Sequence, residues 1–224
     1  MHNNHYFTKS GKIHSFKETG LWVVDKNQYY SNKTEKYISY SNPIDFVCDK
    51  NMTLIQEKHA LVTAMTLGKL VNRIVILPKF HCHGRGNEAC QKSVDHCAFN
   101  SRFHVETFDK LFDRKYRESV FLSHPKVPNV VKQSVSPKIK ITDVFGEEHS
   151  KKSMNRSNRF WTKDVKQWLE KGPMSNYSVL DFDSLYFKLH HDDSVWLNAV
   201  HHSIVPCNYN QDPRTILKSK YISK

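Results

Sequence analysis

A run of ligand-capable residues, His81, Cys82, His83, Gly84, Arg85 and Gly86, follows directly on the apolar stretch Ile74 to Leu77, which Pro78 ends. Imidazoles are the side chains best suited to orient or deprotonate a hydroxyl near neutral pH, so His81 and His83 are candidate catalytic groups. The triplet Gly84-Arg85-Gly86 suits a phosphate: two glycines let the backbone approach closely, and a guanidinium between them can grip a diphosphate bidentately. The same triplet also reads as an ordinary flexible turn, and its glycine spacing fits neither a dinucleotide fingerprint nor a P-loop. Lys79 adds a cation just before the cluster. Arg117 belongs to a second basic and aromatic patch with Arg102, Arg114, Lys115 and Tyr116.

Three further constellations need weighing. His81, Cys82, His83, Cys90 and Cys97 include zinc-ligand types, but paired ligands two to four residues apart on both sides are missing, so no metal is assigned. Cys82, Cys90 and Cys97 are instead disulfide candidates if the compartment is oxidising. The chain holds 5 cysteines, so at least one stays unpaired. Asp181-Phe182-Asp183 follows a strand-like run and resembles a metal-chelating carboxylate pair. Simple alternation explains it better, with Leu180, Phe182 and Leu185 inward and the aspartates outward. His190, His191, His201 and His202 enrich the last third in imidazole, and surface positions are their default.

The elements that must present these groups are legible. Leu54, Leu61, Ala64, Met65, Leu67 and Val71 recur at helical spacing, with Thr53 as an N-cap and Asn72-Arg73 as the stop. Ile74 to Leu77 is a continuous apolar run rich in β-branched residues, as expected of a buried parallel strand. Helix, then buried strand, then reactive loop is how an open α/β sheet delivers residues to a ligand crevice. Elsewhere the pattern predicts strands at Gly20 to Val24, Tyr37 to Tyr40, Ser119 to Leu122, Lys138 to Val144 and Val179 to Leu189. Helices are predicted around Phe103 to Phe112, at Lys163 to Lys171 before Gly172-Pro173, and at Val195 to Ile204. The fold class is therefore α/β, a Rossmann-like layered domain with a mostly parallel sheet. Its organisation reads as a polar N-terminal segment over 1–50 and a Rossmann-like core with the Cys-rich loop over 51–145. A linker or exposed loop at 146–158 follows, and a helix-strand-helix over 159–224 completes the fold.

With 224 residues, 38% hydrophobic and 25% charged, the chain can bury a real core and is not of a disordered composition. Its net charge of +12 favours an anionic partner, although no run of five or more cations marks a polyanion groove. Recognition-module signatures for nucleic acid are missing, so none is expected as a partner. No stretch has the length of a membrane span, and no membrane contact is expected within this chain. The N-terminus lacks the apolar core of a signal peptide. Four sequons, at Asn32, Asn51, Asn155 and Asn176, and the crowded cysteines point the other way, to a lumenal protein whose signal or anchor lies upstream.

The stretch His59 to Cys82, His-Ala-Leu-Val-Thr-Ala-Met-Thr-Leu-Gly-Lys-Leu-Val-Asn-Arg-Ile-Val-Ile-Leu-Pro-Lys-Phe-His-Cys, resembles a pattern of sugar-nucleotide glycosyltransferases. There a helix ending in Leu-Asn-Arg-Thr leads into a Leu-Val/Ile-Leu-Pro strand and an aromatic or Phe-x-Cys loop. Tyr116 to Pro128 and Ser178 to Tyr186 extend a similarity to glycosyltransferase family 77. A looser one is to the N-terminal half of the protein O-fucosyltransferases. Ile74 stands where the pattern usually has Thr, and the matched region lies outside the Asp-x-Asp core of family 77. The resemblance implies a glycosyltransferase-like domain of the Golgi or ER lumen, acting on a nucleotide-diphospho-sugar and a glycan or glycoprotein acceptor. Lys79, Gly84, Arg85, Gly86 and Arg117 would hold the donor, His81 or His83 would act on the acceptor, and no cofactor is implied. The alternative is a non-catalytic accessory domain, or a fragment of a larger transferase.

Overall fold

The computed structural model describes residues 8–42, 46–47, 50–81, 91–92, 96–141, 160–187, 189–190 and 193–207. Its helices are α1 (Lys9–Glu18), α2 (Lys50–Leu70), α3 (Val105–Phe112), α4 (Asn129–Lys132), α5 (Thr162–Lys171) and α6 (Ser194–Ser203). Its strands are β1 (Tyr37–Tyr40), β2 (Phe46–Val47), β3 (Ile74–Ile76), β4 (Phe80–His81), β5 (Gln91–Lys92), β6 (His96–Cys97), β7 (Tyr116–Arg117), β8 (Phe160–Trp161), β9 (Val179–Phe182) and β10 (Leu189–His190).

Helix α2 runs to the stop that the sequence marks. Asn72 takes a left-handed φ of 50°, a conformation that asparagine tolerates better than most residues. The Arg73 N–H then donates to the Gly68 carbonyl at 2.9 Å and the Asn72 N–H to that of Lys69 at 3.4 Å, the pair of bonds that closes a Schellman end. Arg73 turns the chain directly into β3. Its guanidinium donates to the carbonyls of Ser175, Tyr177 and Ser178 and to that of Tyr37, which ties together the amino-terminal ends of β1 and β9.

Strands β7, β3, β1 and β9 form one sheet in that order, and every pairing in it is parallel. Counted along the chain, this is the order 3-2-1-4, the beginning of a doubly wound sheet. Both faces are covered, as parallel strands demand. Ile38, Tyr40, Val75, Leu180 and Phe182 enter one core with residues of α2, α3, α5 and α6. Tyr37, Ile74, Ile76 and Val179 point to the other face, against Tyr30, Phe121, Val127 and Val131. The fold is thus α/β and Rossmann-like. β1 lies inside the segment 1–50, so part of that polar stretch supplies an inner strand.

Four sequence expectations are corrected. Leu21 to Val24 has no strand partner among the described residues, and Leu21 and Val23 are exposed. Ser119 to Leu122 is not a strand: β7 precedes it, and a 3₁₀ turn at Phe121–Ser123 replaces it. Glu18 holds Ser119 there through Oγ at 2.8 Å, and the Phe121 ring packs on Tyr30 and Tyr37. Val179 to Leu189 divides into β9 and β10. Of the described residues 138–141, Ile139 alone bridges to a strand, pairing in parallel with Phe182 as Val135 does with Val179. That segment lies along the outer edge of β9, and residues 142–150 lie outside the described part.

Candidate functional site

The chain moves from β1 to β3 and β7 on one side and returns to place β9 on the other. Strand order therefore reverses between β1 and β9, and the carboxyl ends of those strands border the crevice where open α/β sheets take ligands. Asn42 follows β1, Lys79 follows β3, and His81 lies in β4. Asn42 and His81 bond Glu57 of α2, which this fold places at the same edge, and Asn42 also reaches the Lys79 carbonyl.

Glu57 is the node of the site. Its side chain is wholly buried, and Arg102 donates to Oε2 from Nη2 at 2.7 Å and from Nε at 3.0 Å. Oε1 accepts from the His81 backbone N–H at 2.9 Å and from Asn42 Nδ2 at 2.8 Å, and His81 Nδ1 lies 3.2 Å away. Burial alone would raise the pKa of this carboxyl. The hydrogen bonds of His81, the charge of Arg102 and the bond from Asn42 outweigh it and hold the pKa below its ordinary value. Asn42 Nδ2 also reaches the Lys79 carbonyl at 3.2 Å, so one side chain clips the β1 exit to the β3 exit. Its Oδ1 is buried without a partner among the described residues. Burial and the nearby Glu57 charge drive the pKa of the Tyr40 hydroxyl well above its usual value.

No local motif singles out this node, although a signal was there. Glu57 sits three residues after Leu54, three before Ala60 and four before Leu61, within the apolar stripe of α2. A carboxylate at a core position needs a cation or several donors, and Arg102 and the strand ends supply them. Nothing local in the sequence names those partners, because Arg102 lies 45 positions away from Glu57.

Across the crevice, Lys138 Nζ donates to Ser41 Oγ at 2.7 Å and lies 3.1 Å from Asp181 Oδ2. Ser39 donates to the same carboxylate at 2.8 Å. Leu180, Phe182 and Leu185 are buried while Asp183 is exposed, as strand alternation predicts. Asp181 is thus part of an ion pair between strand ends. Among the described residues no three His, Cys, Asp or Glu side chains gather as a metal would need.

The candidates named from sequence are distributed unevenly. Lys79 is exposed at the carboxyl edge. His81 is buried, at 4% exposure, with Nδ1 turned to Glu57, so as placed it organises the strand exit. His83, Gly84, Arg85, Gly86, Cys82 and Cys90 lie outside the described residues, and Cys97 ends β6, which pairs antiparallel with β4. Arg117 is 1% exposed. Its guanidinium donates to Glu35 at 2.9 Å and to the carbonyls of Tyr29, Arg114 and Tyr116, and it stacks 4.1 Å from the Tyr29 ring. Those bonds commit the Arg117 charge to the fold. Of the sequons, Asn176 is exposed in a turn before β9. Asn32 Oδ1 closes a turn by accepting from the Thr34 N–H at 2.8 Å. Asn51 lies in the first turn of α2, and Asn155 is outside the described part.

No family model matches this chain, and neither does any curated protein. Among solved structures, POFUT1 in complex with GDP matches with a TM-score of 0.45 at 16% identity, covering 86% of this chain and 55% of that one. POFUT1 in complex with GDP-fucose matches in two crystal forms, with TM-scores of 0.43 and 0.41, each at 16% identity. These cover 86% and 84% of this chain and 56% and 55% of theirs. The chain therefore spans little more than half the length of those proteins. They represent a protein O-fucosyltransferase and not family 77. Among the described residues, no helix is long and apolar enough to cross a membrane.

Proposed function

We propose that the carboxyl edge of the sheet binds a nucleotide-diphospho-sugar, and that the chain is a glycosyltransferase-like domain of the secretory pathway. The observation that carries this reading is the convergence of Asn42 and His81 on the buried Glu57–Arg102 pair, with Asn42 clipped to the Lys79 carbonyl, beside the strand-order reversal. That node fixes two strand exits within hydrogen-bond distance of each other, and it lies immediately before the segment holding Arg85. Lys79 and Arg85 would neutralise the diphosphate, and Gly84 and Gly86 would let the backbone approach it closely. His83 would orient or deprotonate an acceptor hydroxyl of a glycan or glycoprotein. The net charge of +12 supports an anionic ligand. Disulfide pairing among Cys82, Cys90 and Cys97, and glycan attachment at Asn176, belong to the same lumenal reading.

A second reading is a non-catalytic binding domain of a larger transferase. The burial of His81 against Glu57 favours it, because a ring committed to a strand exit does not meet an acceptor. Titration calorimetry of the purified chain with GDP, UDP and their sugar conjugates tests the first reading. Binding tighter than about 1 mM, some −4 kcal/mol, weakened tenfold or more in Lys79→Ala and Arg85→Ala, is the expected result. Absence of binding, or affinity unchanged in both variants, overturns it. Product formation with a bound donor and an acceptor glycopeptide then separates catalysis from binding alone.

A further inference from the structure

The opposite edge of the sheet holds a cavity of about 290 Å³ enclosed by the end of α2, the end of α3 and the start of α6. That volume is at the small end of ligand pockets, which run from about 300 Å³ upward. Its walls are apolar and aromatic: Met65, Leu111, Phe112 and Trp196. The indole N–H of Trp196 is buried with no acceptor among the described residues. Every charged residue that lines the cavity is a cation, namely Lys69, Arg73 and Lys115.

The cations differ in kind. Arg73 is buried, and its guanidinium bonds are to carbonyls; no carboxylate pairs with it among the described residues. Burial accordingly lowers its pKa to about 10. Lys69 and Lys115 are exposed at the rim. Lys69 Nζ sits 3.8 Å from the Trp196 ring centroid and 3.5 Å from Asp193 Oδ2. Both side chains of that pair are nearly half exposed, so the bond is weak and open to competition. Asp193 is otherwise used in capping α6, accepting from the Trp196 N–H at 2.8 Å.

We infer that this cavity is a second binding site, for a small aryl or alkyl carboxylate whose apolar body fills the Leu111–Phe112–Trp196 pocket and whose anionic end lies between Lys69 and Lys115. The apolar wall supplies affinity without orientation, and the rim cations supply the sign of the ligand. The positive field of Arg73 beneath them opposes a cationic occupant and favours an anionic one. The site lies at the amino-terminal ends of β3 and β7, so it is separate from the nucleotide-sugar edge and does not depend on that reading.

The test uses 4-phenylbutyrate and its uncharged amide as probes, in calorimetry on the whole chain. The acid is expected to bind at least tenfold more tightly than the amide. The double variant Lys69→Gln with Lys115→Gln, both exposed positions, should lose that preference with an unchanged unfolding midpoint. Leu111→Trp, which fills the pocket, should abolish binding of both probes. Equal affinity for acid and amide, no binding of either up to 10 mM (about −3 kcal/mol), or an acid preference that survives the double variant each overturns the inference.

Discussion

Glu57→Gln is the sharpest perturbation the structure offers, because it keeps the shape of the side chain and removes only its charge. The wild-type carboxylate faces donors on both oxygens: Arg102 on Oε2, and the His81 N–H and Asn42 on Oε1. An amide in either flip must aim its NH₂ at one of those donor sets. It also leaves the Arg102 guanidinium, 10% exposed, without an anion. Breaking a buried pair by removing one charge costs about 3–5 kcal/mol. With a urea slope near the top of the usual range, about 2–3 kcal/mol per molar, the unfolding midpoint should fall by about 1–2.5 M. The penalty should also depend on pH. Glu57 titrates in the folded protein below its ordinary 4.5, so its contribution is fully present above that pH. It is lost as pH falls through the lower folded value, and the gap between wild type and variant should narrow there. A double-mutant cycle with Arg102→Met should give a coupling of about 2 kcal/mol or more. Urea titrations at pH 7 and pH 4 read all of this. A variant within about 1 kcal/mol of wild type at pH 7, with an additive cycle, would refute the role assigned to the node.

Three further outcomes are expected. Gly68→Ala should lower the thermal midpoint, because its Cβ would meet the Arg73 carbonyl oxygen at 2.8 Å and Val75 Cγ2 at 2.9 Å. Overpacking of this kind costs about 1–3 kcal/mol, against the roughly 1 kcal/mol that the same change gains in an exposed helix, so the sign decides. Arg117→Ala should destabilise by about 3–5 kcal/mol by stranding Glu35 and freeing buried carbonyls, read in urea titration. In calorimetry its nucleotide affinity, measured well below the unfolding midpoint, should match wild type. The Cys207 thiol, pushed up to about 11 by burial, should resist iodoacetamide at pH 8 in the native protein and react once unfolded, as read by peptide mass spectrometry.

Much of the scaffold was legible because it is local. The α2 stripe, the Asn72 stop, the β-branched β3 and the Gly172-Pro173 end of α5 are all read from windows shorter than about 20 residues. Strands fared worse where tertiary contacts decide. Val120 to Leu122 has strand composition, yet Glu18 and the aromatic packing of Phe121 draw it into a 3₁₀ turn. Gly20 to Val24 has the residues of a strand and, among the described residues, no neighbour to pair with. Of the site candidates, Lys79 and His81 could be named because they follow a strand, which is a local signal. Glu57 and Arg102 matter through each other, and their pairing is visible only once the fold brings α2 to the chain before α3. Arg117 looked like a ligand cation because composition shows charge and hides burial.

The 3-2-1-4 strand order also sets a timetable for synthesis. β1, β3 and β7 are all present once Arg117 has emerged, and they can pair side by side as the chain grows. The partner for the far side of β1 arrives only with Val179 to Phe182, some 60 residues later. Through that interval β1 presents a bare edge, with Tyr37 and Ile38 on its two faces. A nascent or truncated chain ending before β9 is therefore a client for chaperones and a template for intermolecular pairing. The Lys138–Asp181 bridge and the bond from Ser39 mark the moment that vulnerability closes.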